Sequence, residues 1–282
     1  LLQMPIRMIG FLVNSFARAT SSGERIFQIL DAESPVKQKR DALELGKIEG
    51  RVTFDNVSFR YESYFPALSN IGFDIPAGTV VALLGEPGSG KTTFVHLLSR
   101  FYDASSGTIA IDGTNIRDVT LESLRRNIGI IQQNVFVFAA SIRDNIAYGL
   151  VDAPLDRIQH AAKLANLHDF IMELPRGYDT WVGERGVNLS GGQRQRLAIA
   201  RTLILDPPIL ILDDSLSRVD TQTEKEIQKA IMEVVKGRTA FIIAHRLSTI
   251  KNTDLVFVMK NGRIVERGTH QKLLASKGLY RN

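Results

Sequence analysis

Apolar and polar positions along the chain fall into three regimes. From residue 4 to residue 30, Ile6, Ile9, Val13, Phe16, Ile26, Phe27 and Leu30 recur at helical spacing among Arg7, Arg18 and Arg25. Residues 32–46 are polar and charged, with Pro35 and the run Lys37-Gln38-Lys39-Arg40, and read as a linker. From Ile48 onward, short apolar runs predict strands. Val52, Phe54, Val57 and Phe59 mark one, and Ile71, Phe73 and Ile75 mark a second that stops at Pro76-Ala77-Gly78. Val80-Val81-Ala82-Leu83-Leu84, Ile109-Ala110-Ile111 and residues 128–131 follow, then Ile209-Leu210-Ile211-Leu212 and Ala240-Phe241-Ile242-Ile243. Between residues 141 and 188 the period changes to helical, through Ile158, Ala161, Ala162, Leu164, Ala165, Phe170, Ile171 and Leu174. An amphipathic helix is predicted around residues 224–235. Asn261-Gly262, between Val256-Phe257-Val258 and Ile264-Val265, is the composition of a two-residue hairpin turn. Fully apolar strands alternating with helices predict an α/β fold whose parallel sheet is covered on both faces.

Composition narrows the functional classes only slightly. The 282 residues are 44% hydrophobic and 23% charged, ordinary for a globular chain, and the net charge of +5 is scattered. With no cysteine, disulfides and thiolate metal sites are excluded; five histidines without paired spacing argue against zinc. There is no basic, aromatic-interleaved platform for nucleic acid. No run of about 18 apolar residues provides a complete membrane span. The start on Leu1-Leu2-Gln3, without Met, suggests a fragment of something longer.

The strongest chemical signal is Gly85-Glu86-Pro87-Gly88-Ser89-Gly90-Lys91-Thr92-Thr93, placed between an apolar strand and the helical run Phe94-Val95-His96-Leu97-Leu98. Strand, glycine-rich loop and helix in that order is the setting of a phosphate-binding P-loop. Its glycines let successive N–H groups converge on one hollow, and a side chain at Gly88 or Gly90 would obstruct the turn or the phosphate. The helix start adds a positive dipole end. Lys91 is then expected to reach the β- and γ-phosphates and Thr92 to ligate Mg²⁺. Asp213 ends a buried strand at the edge where parallel sheets bind ligands, which suits a second anchor for Mg²⁺, through water. Ser190 is an N-cap residue, and Gly191-Gly192-Gln193 expose N–H groups at a second helix start.

Leu189-Ser190-Gly191-Gly192-Gln193 together with the P-loop resembles the nucleotide-binding domain of an ATP-binding cassette (ABC) protein, from Ile48 to the end of the chain. The resemblance implies a P-loop NTPase (RecA-like) core with a mostly parallel sheet, an N-terminal antiparallel β subdomain and a helical subdomain at about 134–205. It implies that Tyr61 stacks on adenine, that Gly85 to Thr93 cradle the phosphates of ATP, and that Gln133 is the Q-loop glutamine beside Mg²⁺. Val182-Gly183-Glu184-Arg185-Gly186 resembles the segment before the signature in exporters. Asp213 matches the Walker B aspartate, Ser217-Arg218-Val219-Asp220 the D-loop and His245 the switch histidine, whose ring can donate to the γ-phosphate or position water. The domain order expected is the cytoplasmic end of a last transmembrane helix at 1–30, a linker at 31–47 and the nucleotide-binding domain at 48–282. It also implies a head-to-tail partner of the same kind, as homodimer or heterodimer, and a transmembrane domain of the same polypeptide at the cytoplasmic face of the cell membrane. ATP hydrolysis there would power export.

Two positions depart from the family pattern. Asp214 stands where the family has the glutamate that positions the attacking water. It is shorter by one methylene, roughly 1.5 Å, and a misplacement on the order of 1 Å can cost about 100-fold in rate. A slow or non-hydrolysing site follows, unless the water adjusts to the shorter side chain. Arg218 stands where the D-loop usually has a small residue. A non-hydrolysing regulatory domain and a non-transport soluble ATPase are the other two readings; no coiled-coil insertion supports the second.

Overall fold

The computed structural model describes residues 3–62, 65–132, 134–213, 229–244, 247–276 and 278–281. The chain divides into two units, 1–37 and 38–282. The first is built on helix α1 (Gln3–Leu30), whose residues are almost all exposed, including Ile9, Phe11, Leu12 and Phe16. Among the described residues no helix is long and apolar enough to cross a membrane.

In the second unit, polar residues near its start hydrogen-bond before the apolar pattern begins. Leu43 N donates to Asp118 O at 2.9 Å, Leu121 N to Gln38 Oε1 at 3.0 Å, and Lys39 pairs with Asp118. Backbone pairing needs no apolar side chain, so hydrophobic periodicity does not register it.

Strands β1 (Val52–Phe59), β2 (Leu68–Ile75), β4 (Ser106–Ile111) and β5 (Thr114–Asn115) form an antiparallel sheet in the order β2-β1-β4-β5. In β1 the apolar parity shifts between Phe54 and Val57, yet Val52, Phe54, Val57 and Phe59 are all buried. A bulge with Asn56 at φ 48° absorbs the extra residue. Gly107 faces this bulge; a Cβ there would lie 2.5 Å from Asn56 O.

The second sheet has the order β12-β11-β3-β10-β9-β6, from β3 (Val80–Leu84), β6 (Ile128–Ile131), β9 (Ile209–Asp213), β10 (Thr239–Ile243), β11 (Leu255–Lys260) and β12 (Arg263–Gly268). All pairs are parallel except β11 with β12. Alternate residues feed two cores. Val81, Leu83, Ile209, Ile211, Phe241, Ile243 and Phe257 pack with helix α2 (Lys91–Leu98) and the antiparallel sheet. Ala82, Leu210, Leu212, Ala240, Ile242 and Val256 pack on the other side.

That second core is shared with a helical region: α4 (Ile142–Ala147), α5 (Leu155–Leu164), α6 (His168–Glu173) and α7 (Gly191–Leu203). Ile158, Ala161, Ala162, Ala165 and Ile171 are buried there, as their spacing predicts. A short ladder of β7 (Ala140–Ser141) and β8 (Trp181–Val182), too brief for a periodicity to show, joins this region. Helix α3 (Leu121–Arg126) precedes β6, residues 229–235 are helical, and α8 (Leu247–Ile250) and α9 (His270–Ala275) follow. Residues 224–228 of the predicted amphipathic helix lie outside the described residues.

Candidate nucleotide site

The strand register assembles the site. Ile243 lies opposite Leu83 on one side and Asp213 on the other, and Ile131 opposite Leu212. The C-terminal ends of β3, β6, β9 and β10 therefore share one edge of the sheet, the edge at which such sheets bind ligands. The P-loop follows β3 there, and Asp213 ends β9 there.

Within the P-loop the backbone runs through positive φ at Gly85 (151°), Gly88 (81°) and Gly90 (105°). A Cβ on Gly85 would strike the Met259 carbonyl and lie 2.6 Å from Ser89 Oγ; one on Gly90 would lie 2.8 Å from Ala67 O. At Gly88 no atom of the described residues, its chain neighbours aside, lies within 4 Å of that position, so glycine is favoured there by φ and not by crowding. Ser89 N donates to Glu86 O at 3.1 Å and closes the loop. Gly90 is the left-handed N-cap of α2 and makes no side-chain cap, so the first N–H groups of the helix remain for a ligand.

Lys91 is 7% exposed and its ammonium donates to Gly85 O at 2.8 Å and Glu86 O at 3.0 Å. Burial pushes its pKa down, and the Asp213 carboxylate pulls it back up. The cation is thus held against the loop by carbonyls, in reach of an anion that would offer it stronger acceptors. Thr92 is exposed and Asp213 half-buried. Hydroxyl and carboxylate oxygens are hard donors that fit Mg²⁺, which keeps most of its waters and needs few protein ligands. Among the described residues no group of three His, Asp or Glu forms a metal cage of its own.

Tyr61 follows β1 in the other sheet but reaches α2. Its hydroxyl lies 3.2 Å from Thr93 Oγ1, and its ring stands edge-on to Phe59 and Tyr102 at 4.8 and 5.2 Å. It is 36% exposed, beside the P-loop helix. His96, one turn along α2, also senses Asp213: burial lowers its pKa and the carboxylate opposes that. Sequence inspection gave it no role, because its proximity to Asp213 arises from sheet packing alone.

Ser190 starts α7 with a complete capping box. Ser190 Oγ accepts from Gln193 N at 3.2 Å, and Ser190 N donates to Gln193 Oε1 at 2.8 Å. Gly191 is exposed and Gly192 buried. Arg194 anchors the preceding loop, donating to Leu189 O at 2.7 Å and Gly186 O at 3.3 Å. Among the described residues no hydrogen bond joins residues 190–193 to the P-loop. The structure therefore brings Tyr61, Gly85 to Thr93 and Asp213 together and leaves Ser190 to Gln193 on a separate helix start. Gln133, Asp214 and His245, and the segment from Ser217 to Asp220, lie outside the described residues.

One support was not legible beforehand. The hairpin turn Asn261-Gly262, at φ 50° and 73°, lies under the P-loop: Gly262 N donates to Ser89 O at 3.1 Å, and Ser69 N donates to Gly262 O at 2.8 Å. The turn composition announces a hairpin but carries no sign of what it touches. Beside it the P-loop, Asn261, Leu274 and Tyr280 line a cavity of about 580 Å³.

Residues 68–217 match the family model described as ABC transporter. An ATP-dependent lipid A-core flippase of Syntrophus aciditrophicus is 46% identical over 99% of this chain and 46% of its own length. A heavy metal tolerance protein of Schizosaccharomyces pombe is 45% identical over 98% of this chain and 33% of its length. The structure of a bacterial Atm1-family ABC exporter with ATP bound is similar at a TM-score of 0.84 and 42% identity, over 99% of this chain and 49% of that one. The chain spans about half or less of the length of these relatives. A phosphate-binding loop at the C-terminal edge of a parallel sheet, an antiparallel sheet beside it and a helical region ending in a capped LSGGQ helix agree with that match, and the chain belongs to the ABC transporter family.

Proposed function

We propose that the chain is the ATP-binding and ATP-hydrolysing part of an exporter, working by closure of two such domains on ATP. The observation that carries the reading is the buried Lys91 ammonium, held on loop carbonyls beside Asp213 at the uncapped start of α2. An arriving triphosphate supplies anionic oxygens to Lys91 and to the free N–H groups of the helix. Tyr61, partly exposed beside the P-loop helix, would stack on the adenine. Thr92 and Asp213, with Gln133, would hold Mg²⁺, which neutralises developing charge on the phosphates. Asp214 and His245 would orient the attacking water and the γ-phosphate.

Ser190, Gly191, Gly192 and Gln193 would supply a second anion-binding helix start, one that no hydrogen bond among the described residues joins to this chain's P-loop. In the proposed dimer each P-loop meets the other chain's Ser190, head to tail, and the domains separate after hydrolysis. Residues 1–30 would be the cytoplasmic end of a transmembrane helix, which puts the domain at the cytoplasmic face of a cell membrane. The exposed apolar side chains of α1 support that reading.

A second reading concerns rate. Asp214, in place of glutamate, would leave this chain's own site slow while its intact signature helix completes the site of a different partner. ATPase rate measured against protein concentration, with Lys91→Ala beside the wild type, tests both. A rate rising more steeply than linearly, abolished by Lys91→Ala, is expected for dimer-dependent hydrolysis. A rate strictly proportional to concentration would refute closure of two domains, and no turnover despite ATP binding would support the degenerate site.

A further inference from the structure

The side chains of Arg201, half-buried, and Asn145, buried, form a junction between α7 and the segment that begins three residues after Gln133. The guanidinium of Arg201 donates three hydrogen bonds: Nε to Asn145 O at 2.9 Å, Nη2 to Asn145 Oδ1 at 2.6 Å, and Nη1 to Phe136 O at 2.8 Å. Its plane lies over the Phe138 ring, 4.9 Å from the centroid, and Phe138 stacks on Tyr148 at 4.3 Å. Asn145 is fully buried, with both ends of its amide used. Nδ2 donates to Phe138 O and Ser141 O, each at 3.0 Å, and Oδ1 accepts from Phe138 N at 3.0 Å as well as from Arg201.

Among the described residues no hydrogen bond or ring contact joins this cluster to the P-loop, and neither residue stood out in the sequence. Its geometry is that of a mechanical joint. Four backbone groups between residues 136 and 141 are held by two side chains, one on α4 and one on α7. Sliding the segment against α7 would break several bonds together and strand buried polar atoms. Only arginine offers a planar fork able to bond two carbonyl groups and an amide while stacking on a ring. Ten residues separate Arg201 from Gly191 on one helix, roughly 15 Å along its axis, so motion at the junction reaches Ser190 through a rigid rod.

We propose that Arg201 is a positioning residue that, with Asn145, makes the segment 136–141 and the signature helix α7 move as one body. The inference rests on the head-to-tail reading above. In that dimer Ser190 serves the other chain's triphosphate, so Arg201 connects the glutamine side of one site to the phosphate side of the other.

Trp181 is the only tryptophan in the chain, is exposed, and pairs through β8 with Ser141 at the end of the segment. The test uses the 282-residue chain, with Trp181 emission recorded as ATP is added, nucleotide affinity from a fluorescent ATP analogue, and steady-state ATPase. In the wild type, ATP is expected to shift Trp181 emission. Arg201→Lys should bind the analogue within twofold of wild type and keep KM within threefold, while kcat falls about tenfold and the Trp181 response is lost. Tyr148→Ala, at an exposed position, loosens the ring stack without opening the core and should reduce the Trp181 response about threefold; it carries the test if Arg201→Lys fails to fold by circular dichroism. A Trp181 response and kcat unchanged in these variants, or no Trp181 response in a wild type that binds ATP, would overturn the proposal. Because the emission signal does not need turnover, a wild type that binds and responds without hydrolysing counts against the hydrolytic reading alone. A wild type that binds no nucleotide overturns both.

Discussion

Replacing Phe94 by alanine removes the side chain that fixes the P-loop helix between the two sheets. Phe94 is fully buried, stacked on Phe54 at 4.9 Å with planes 10° apart, and tilted against Phe241 at 5.2 Å and Phe73 at 5.7 Å. A Phe→Ala change in a core costs about 3–5 kcal/mol, from lost transfer free energy and the cavity left behind. Aromatic pairs add about 0.5–1.5 kcal/mol beyond their area, so the upper half of that range is expected. The surrounding rings belong to three different elements and cannot collapse together into the space. In a unit of this size each kcal/mol moves Tm by about 2–4 °C, which gives a fall of roughly 8–20 °C. Urea denaturation followed by far-UV circular dichroism measures the loss directly. Because Lys91 lies three residues away on the same helix, ATP affinity should fall as well. At a hundredfold excess over Kd, ATP should protect the wild type by about 2.7 kcal/mol. A tenfold weaker site would recover about 1.4 kcal/mol less at the same ATP concentration. A loss below about 1 kcal/mol in the absence of ATP would show that α2 is not held by this ring, and would refute the reasoning.

Three further outcomes are expected. Asp214→Glu should raise ATP hydrolysis by this chain, by up to about 100-fold if carboxylate reach is limiting; phosphate release unchanged from wild type would count against a degenerate site. Gly85→Ala should weaken ATP binding at least tenfold in equilibrium dialysis, because the new Cβ meets the Met259 carbonyl in a backbone with φ 151°; wild-type affinity would mean that the loop can relax. Burial holds the His96 imidazole below its usual 6.5, so between that depressed value and 6.5 the unfolded chain takes up a proton that the folded one refuses. Stability should therefore fall as pH drops through this window and be fully recovered above it. His96→Gln should flatten that slope in urea titrations at pH 5.5 and 7.5, and an equal slope in both proteins would exclude His96 as its source.

Local chemistry made much of the molecule legible in advance. The P-loop, the Ser190 cap and the Asn261-Gly262 turn each depend on a few adjacent residues, whose backbone preferences and side-chain reach operate within one turn of chain. The apolar runs that became β3, β9 and β10 were equally plain, because a strand buried on both faces must be apolar throughout. Tertiary structure alone decided which of these features meet. The sheet order β12-β11-β3-β10-β9-β6 brings Asp213 near Lys91 and His96, a proximity that no local spacing encodes. The same holds for Tyr61 on Thr93, Gly262 beneath Ser89, and Arg201 against Asn145, 56 residues away in the chain. Hydrogen bonds across such separations leave no periodic trace, since each partner's type is common and only the packed backbone brings the two within hydrogen-bond distance. The sequence by itself determined that this chain carries a P-loop and a second glycine-rich, Ser-capped helix start. Only the fold, through the alternating burial that sets strand order and register, decided that the first is assembled with its lysine, carboxylate and aromatic neighbour, while the second caps a separate helix.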